Sequence, residues 1–453
     1  MRLSEGALDR LAAGVERPGY DRAAQAVGII HFGTGAFHRA HQAWYADAAM
    51  RAGERDWMIT GVSLRSPDVA DQLNPQDGLY TLTERCAAGE STRLVGAVRN
   101  VLVATEEPTA AIDLIAAPST HIASFTVTEK GYCRAADGSL DPGQAGSGSL
   151  YRFLAEGLRR RADAGLPGLT LLSCDNLADN GRQLERLLRE YLDRHDPGLR
   201  DWFDAHCSCP CTMVDRIVPA VTPQDRADVA RAIGLDDAGA VVTETFSQWV
   251  IEDRFAGPRP GWERVGAQLV DDVVPYETAK LRMLNGAHSL LAYCGLQRGY
   301  SYVHEAIADP QLGALTRRLM LDEAAPTIAA APGQDLASYA ASLLDRFANP
   351  ALGHKLMQIA MDGSQKIPQR WLETLADNAR QGRQCPAILT GLGAWVGHLR
   401  GANGPVEDPR SSLLEALARQ TNPPLALFGP DGPIRSSWMP DVADQALIMA
   451  HAE

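Results

Sequence analysis

Between residues 27 and about 200, short apolar runs alternate with segments of helical period. The runs at 27–32, 57–64, 121–127 and 169–174 are rich in aliphatic side chains and bounded by turn formers, which predicts buried strands. A further extended stretch covers 94–105. At 108–117, 149–164 and 181–194, apolar positions recur every three or four residues, the pattern of amphipathic helices. A Gly/Ser-rich loop, 138–148, interrupts this region. From about 275 onward the helical period dominates, at 276–293, 309–322, 335–347, 369–381 and 387–399, with Pro and Gly at the joins. Alternation followed by helices predicts an α/β, doubly wound domain over 1–270 and a mostly α-helical domain over 271–453.

Polar residues gather where the strands end. After 27–32 comes Gly33-Thr34-Gly35-Ala36-Phe37-His38-Arg39, then a helical stretch over 40–47. Strand, glycine turn and helix open a dinucleotide-binding unit. Gly33 lets the chain turn tightly, and Gly35 lets backbone approach a pyrophosphate. The third glycine position holds His38, and many such turns bind nothing. Arg65-Ser66-Pro67-Asp68 follows 57–64. Asp68 fits a partner for a ribose 2′-hydroxyl, although it lies further from Gly35 than the usual ~20 residues; it equally fits a helix N-cap. The strand at 169–174 ends in Asp175-Asn176, suited to a ligand beyond a strand's carboxyl end or to a simple turn.

One helix stands out in the second domain. On a uniform wheel of roughly 100° per residue, Lys280 lies at 0°, Glu277 near 60°, His288 near 80° and Asn285 near 140°. Leu281, Met283, Leu284, Leu290 and Leu291 make the rest of it oily. An amine, an amide and an imidazole on one side of an apolar helix suit proton transfer at an alcohol oxygen. The plainer alternative is a lysine reaching solvent and a hydrogen-bonded structural histidine.

Five motifs occur in order from about residue 28 to about 370. They are Gly33-x-Gly35-x-Phe37-His38-Arg39-Ala40-His41-Gln42, Thr128-Glu129-Lys130-Gly131-Tyr132-Cys133, Ser173-Cys174-Asp175-Asn176-Leu177, Met213-Val214-Asp215-Arg216-Ile217 and Lys280-x4-Asn285-Gly286-x-His288. Together they resemble the polyol-specific long-chain dehydrogenase/reductase family, the mannitol dehydrogenase group. That family also lacks the third glycine. The resemblance implies an expanded Rossmann domain, a mostly helical C-terminal domain and an active site between them. It implies a zinc-independent, NAD-dependent oxidoreductase acting on CH–OH groups. Lys280 is then the general base. Asn176 and Asn285 hydrogen-bond the reacting oxygen, His288 helps to hold substrate, and Glu277 serves proton exchange with solvent. Gly33, Gly35, Phe37, Arg65, Asp68, Thr128 and Glu129 fall on the cofactor side.

Residues 211–220, 280–286 and 359–370 look closest to the D-mannonate oxidoreductase (fructuronate reductase) branch. Gln358 stands where mannitol 2-dehydrogenases place an arginine, eight residues before the lysine that matches Lys366. The resemblance therefore implies D-mannonate and D-fructuronate as substrates, with Gln358, Lys366 and Arg370 as substrate-binding candidates. Lys366 and Arg370 also fit ordinary helix-surface charges. The alternatives are a polyol 2-dehydrogenase of the same family, for mannitol, arabinitol or sorbitol, and a non-catalytic dinucleotide-binding regulator.

Composition narrows the partners. The net charge of −13 argues against nucleic acid and anionic membrane. No apolar run approaches the ~18 residues of a membrane span, and the N-terminus lacks a signal peptide's apolar stretch. A cytoplasmic monomer or small homo-oligomer that binds small molecules is expected. Of eight cysteines, three form Cys207-Ser208-Cys209-Pro210-Cys211. This lacks the paired C-x2-C spacing of common zinc sites, so free thiols and no metal are expected.

Overall fold

The computed structural model describes residues 1–146 and 148–452; residue 147 of the expected Gly/Ser-rich loop and residue 453 lie outside the described residues. The chain divides into two compact units, Met1–Val273 and Val274–Glu453.

The first unit is built on a five-stranded parallel sheet. Numbering all strands in chain order, these are β1 (Val27–Phe32), β2 (Met58–Ser63), β5 (Val98–Val103), β6 (Ile122–Phe125) and β7 (Thr170–Ser173), in the spatial order β5-β2-β1-β6-β7. Every neighbouring pair is parallel. The chain winds outward from β1 through β2 to β5 and returns to wind the other way through β6 and β7, so the winding reverses between β1 and β6. Helices cover both faces of such a sheet, which explains the near-continuous apolar strands. Ile30, Phe32, Ala123, Phe125 and Leu171 enter one core with the helices Leu150–Asp163 and Asn180–His195. Ile29, Ile59, Ile122 and Leu172 enter another with the helix Gln42–Arg51.

The additions to this domain are two three-stranded sheets. The stretch expected over 94–105 is two strands. β4 (Gly89–Val95) pairs antiparallel with β3 (Tyr80–Cys86), whereas β5 belongs to the large sheet. β9 (Val241–Glu244) completes the order β4-β3-β9, and β8 (Thr212–Asp215), β10 (Gln248–Glu252) and β11 (Gln268–Val270) form the other. β3 escaped the hydrophobic pattern because it buries Thr81 and Thr83. Thr81 is satisfied by Asp237 at 2.7 Å and Thr83 by Thr92 at 2.9 Å.

The second unit is helical. The nearly fully buried helices Gly286–Gln297 and Pro386–Leu399 pack together at its centre. Three of the expected helices are interrupted by π-helical turns, at Lys280–Asn285, Leu319–Ala324 and Pro368–Leu372. Pro368 explains the last, since it has no N–H to continue an α-helical ladder. The other two contain no proline. All three meet at Gly286, where an added Cβ would lie 3.4–3.5 Å from Arg370 O, Leu319 Cδ2 and Trp371 Nε1. Arg370 donates to the Asn285 carbonyl at 3.3 Å and Trp371 to that of Gly286 at 3.1 Å.

Candidate active site

In the first unit, the candidates from all four motif-bearing strands lie along the carboxyl edge of the parallel sheet. Ligands of open α/β sheets bind at this edge, where the winding reverses. Gly33 follows β1 with φ 95°, and a Cβ there would come within 2.1 Å of the Thr126 carbonyl oxygen beyond β6. Only glycine fits. The Gly35 N–H donates to Gly33 O at 2.7 Å, closing the turn. A Cβ on Gly35 would meet nothing but Gly33 O, at 3.9 Å, so the outer side of the turn is open. A closed turn with a bare, open backbone fits a dinucleotide's phosphates.

The following helix, expected at 40–47, starts earlier and is broken. Ala36–Ala40 is separated from Gln42–Arg51 by His41, whose φ −120° and ψ −86° are not helical. His41 Nε2 lies 2.9 Å from the Gln248 carbonyl, and the half-buried Phe37 ring stacks on His41 at 5.1 Å.

Arg65 and Asp68 are both exposed beyond β2. Asp68 is not an N-cap. It is the first residue of the helix Asp68–Leu73 after Pro67, and its own N–H donates to Ser66 Oγ at 3.2 Å. Beyond β6, Thr128 adopts φ 62° and begins the short helix Thr128–Gly131. Asp175, beyond β7, holds this strained turn. Its carboxylate accepts from Val127 N at 3.1 Å, Thr128 N at 2.8 Å and the Tyr132 hydroxyl at 3.0 Å. Burial raises the Asp175 carboxyl above the usual range, and these three donors oppose the shift. The Asp-Asn pair thus divides its work. Asp175 is buried as a clamp, while Asn176 and Glu129 are exposed at the edge. Asp175 was legible only as a strand end; its place beside Asn176 was the signal for more.

In the second unit, Glu277, Lys280 and Asn285 are partly exposed along a helix whose Met283, Leu284, Ala287, Leu290 and Leu291 are buried. The uniform wheel needs correction here. A π turn closes i to i+5, which inserts one residue and turns everything beyond it back by roughly 100°. Asn285 then lies roughly 40° and His288 roughly −20° from Lys280. The interruption brings the three groups onto a narrower face.

His288 is buried, and among the described residues its Nε2 meets no hydrogen-bond partner. Phe347 and His354 pack on its ring at 4.7 and 5.2 Å. Burial first, then the nearby His354, Arg346 and Arg370, hold its pKa well below the ordinary value, so the imidazole is neutral. Arg370 donates to Ser289 Oγ at 2.8 Å and to the Asn285 carbonyl, and among the described residues it makes no ion pair. Burial lowers its pKa to about 10. Lys366 is half-buried and depressed by burial and by Arg370; its Nζ donates to Met361 O at 2.6 Å and Ile359 O at 3.4 Å. Those carbonyls end the helix Leu356–Ala360, which carries Gln358 on an exposed position. Arg370 is therefore not a plain surface charge.

All eight cysteines are free, with Cys209 and Cys211 buried. Among the described residues no group of three His, Cys, Asp or Glu could hold a metal ion, and no helix is long and apolar enough to cross a membrane.

Residues 27–264 match the mannitol dehydrogenase Rossmann domain, and residues 272–426 match the mannitol dehydrogenase C-terminal domain. The chain belongs to the mannitol dehydrogenase family. It is an oxidoreductase, a dehydrogenase acting on a CH–OH group. It is 42% identical to the uncharacterized oxidoreductase YeiQ of Escherichia coli (strain K12), over 89% of this chain and 86% of the relative. It is 39% identical to D-mannonate oxidoreductase of the same organism, over 86% and 83%. Among solved structures, the mannitol 2-dehydrogenase of Pseudomonas fluorescens, in ternary complex with NAD and D-mannitol, matches with a TM-score of 0.83 and 36% identity, over 100% of this chain and 96% of that one.

Proposed function

We propose that the protein interconverts a sugar acid and its keto form, D-mannonate and D-fructuronate, with NAD(H) and with Lys280 as general base. The observation that carries the sugar-acid reading is Arg370, a half-buried guanidinium whose side-chain bonds, among the described residues, go to a hydroxyl and a carbonyl. A partly desolvated cation without a carboxylate is costly, and a substrate carboxylate would complete it with charge-assisted hydrogen bonds. Lys366 adds a second cation to this region.

The open turn at Gly33 and Gly35 would receive the phosphates, and Asp68 beyond β2 the adenosine ribose. Phe37, Arg65, Thr128 and Glu129 line the same edge. Bound NAD supplies the hydride acceptor. The chain supplies the rest. In the oxidising direction the Lys280 amine takes the hydroxyl proton as hydride leaves the carbon, and in reduction its ammonium returns that proton. The amides of Asn176 and Asn285 donate to the oxygen as negative charge develops on it, in the manner of an oxyanion hole. The neutral His288 offers its unpartnered Nε2 to a neighbouring substrate hydroxyl. Glu277, one helical turn before Lys280, passes the proton on to solvent. Gln358 recognises a hydroxyl without adding charge.

Likeness to mannitol 2-dehydrogenase favours a second reading, a polyol 2-dehydrogenase. Assays of D-fructuronate, D-tagaturonate, D-fructose and D-xylulose side by side with NADH separate the two. The highest kcat/KM is expected for D-fructuronate; a higher value for D-fructose or D-xylulose would make the polyol reading correct.

A further inference from the structure

β1 reads Val-Gly-Ile-Ile-His-Phe, and its one polar side chain, His31, is fully buried. In the parallel ladder His31 stands opposite Gly61 on β2 and Ser124 on β6. Ser124 Oγ lies 2.8 Å from His31 Nδ1, and Thr126 Oγ1, two residues further along, lies 2.9 Å from Nε2. The Thr126 hydroxyl in turn donates to the Gly33 carbonyl at 2.7 Å. That last bond fixes the direction of all three. A carbonyl only accepts, so the single Thr126 proton goes to Gly33. Thr126 must then accept from His31, which requires the Nε2–H tautomer. His31 Nδ1 is left bare and accepts the Ser124 proton.

The order has no alternative charge state near neutral pH. Burial pushes the His31 pKa down to about 3. The ring of His38 lies flat on it, with centroids 3.4 Å apart and planes 18° apart, and among the described residues neither His38 nitrogen meets a hydrogen-bond partner. His31 is thus a fixed neutral strut rather than a titrating group. Its chain ends on the carbonyl that also accepts the Gly35 N–H, the bond that closes the glycine turn.

We infer that His31 is a positioning residue for dinucleotide binding, acting through Thr126 on the Gly33 carbonyl to hold the turn in its receiving shape. This rests on the reading that the Gly33–Gly35 turn receives NAD(H). The alternative is a buried histidine that serves stability alone.

The test is the dissociation constant for NADH, measured by calorimetry without sugar substrate, together with thermal unfolding of the free protein. Thr126→Val keeps the shape and removes the donor to Gly33. It is expected to weaken NADH binding about three- to tenfold, the effect of losing one hydrogen bond. His31→Leu should do the same, and the double variant should be no weaker than the worse single one, because one chain is being cut twice. His31→Gln, whose amide can donate to Thr126 and accept from Ser124, should recover most of the affinity. KM for the sugar substrate at saturating NADH should stay unchanged. Wild-type affinity in Thr126→Val and His31→Leu, with only a lower Tm, would overturn the inference, as would full additivity in the double variant. If His31→Leu fails to fold, Thr126→Val decides alone. If the wild-type protein binds no dinucleotide, the functional reading itself fails, a result distinct from wild-type-like binding by the variants.

Discussion

Replacing Arg370 with methionine should separate stability from substrate recognition. The guanidinium pKa falls from 12.5 to about 10, and burial is the first cause. At about 1.36 kcal/mol per unit, holding this cation in the fold costs about 3 kcal/mol. Arg370 is charged in both folded and unfolded chains at any pH below about 10, so the cost is present throughout the working range. Against it stand the hydrogen bonds to Ser289 Oγ and Asn285 O, each contributing about 1 kcal/mol. Methionine keeps much of the apolar stem and removes both terms, for a net gain of about 1 kcal/mol. In a domain of this size that raises Tm by about 2–4 °C. Substrate recognition should move the other way. Losing a charge-assisted bond to a carboxylate costs about 1.5–3 kcal/mol, or roughly 10- to 150-fold in kcat/KM for D-fructuronate. The value for D-fructose should fall by much less, since it has no carboxylate to lose and feels only the lost support of the Asn285 backbone. Paired kinetics with NADH and thermal unfolding read both effects. A Tm lowered by several degrees, with equal losses on both substrates, would make Arg370 a structural residue and remove the support for a sugar acid.

Three further outcomes follow from the same geometry. Lys280→Ala should lower turnover by roughly 10²–10⁴ while NADH affinity stays near wild type, and retained turnover at neutral pH would remove Lys280 from the mechanism. NAD(H) should be preferred over NADP(H), because the Asp68 carboxylate repels a 2′-phosphate, and Asp68→Ala should narrow the ratio of kcat/KM; equal or better use of NADPH by the wild-type protein refutes this, with Arg65 as the natural partner for the phosphate. Glu323 accepts from Ala387 N and Ile388 N at 2.7 and 2.9 Å, yet burial raises its pKa from 4.5 to about 6. Between those values the native state binds more protons than the unfolded one, so stability falls by about 2 kcal/mol as pH rises from 4.5 through 6. Glu323→Gln should flatten that slope in thermal unfolding, and parallel wild-type and variant profiles would exclude Glu323 as its source.

The parallel sheet was legible because its strands are buried on both faces and carry uninterrupted apolar residues. β1 spans the expected 27–32, and β2, β6 and β7 fall within the expected runs. The smaller sheets were not legible because β8, β9 and β11 run for only three or four residues and β3, although longer, buries polar side chains. Thr81, for example, is satisfied by Asp237. Partner distance also hid His31. It is a polar residue inside an apolar strand, and nothing local tells which hydroxyls meet it.

The same reasoning explains why the polar helix departs from the angles of a uniform wheel. Lys280, Asn285 and His288 share a face on a uniform wheel only if that face is roughly 140° wide, too broad for three groups to converge easily. The π turn narrows it to roughly 60°. No residue within Lys280–Asn285 demands such a turn. It goes with packing on segments far along the chain, since the Arg370 guanidinium takes the Asn285 carbonyl, the Trp371 indole takes that of Gly286, and Leu319 lies against Gly286. Two of those segments are π-helical themselves. A residue inserted into a helix leaves backbone carbonyls turned outward, and donors from 85 residues away meet them here. Arg370 therefore stands at both problems at once: its Nη1 supports the irregular backbone under Asn285, and the proposed function assigns its other donors to a substrate carboxylate. Removing its charge while preserving its stem tests whether those two roles can be parted.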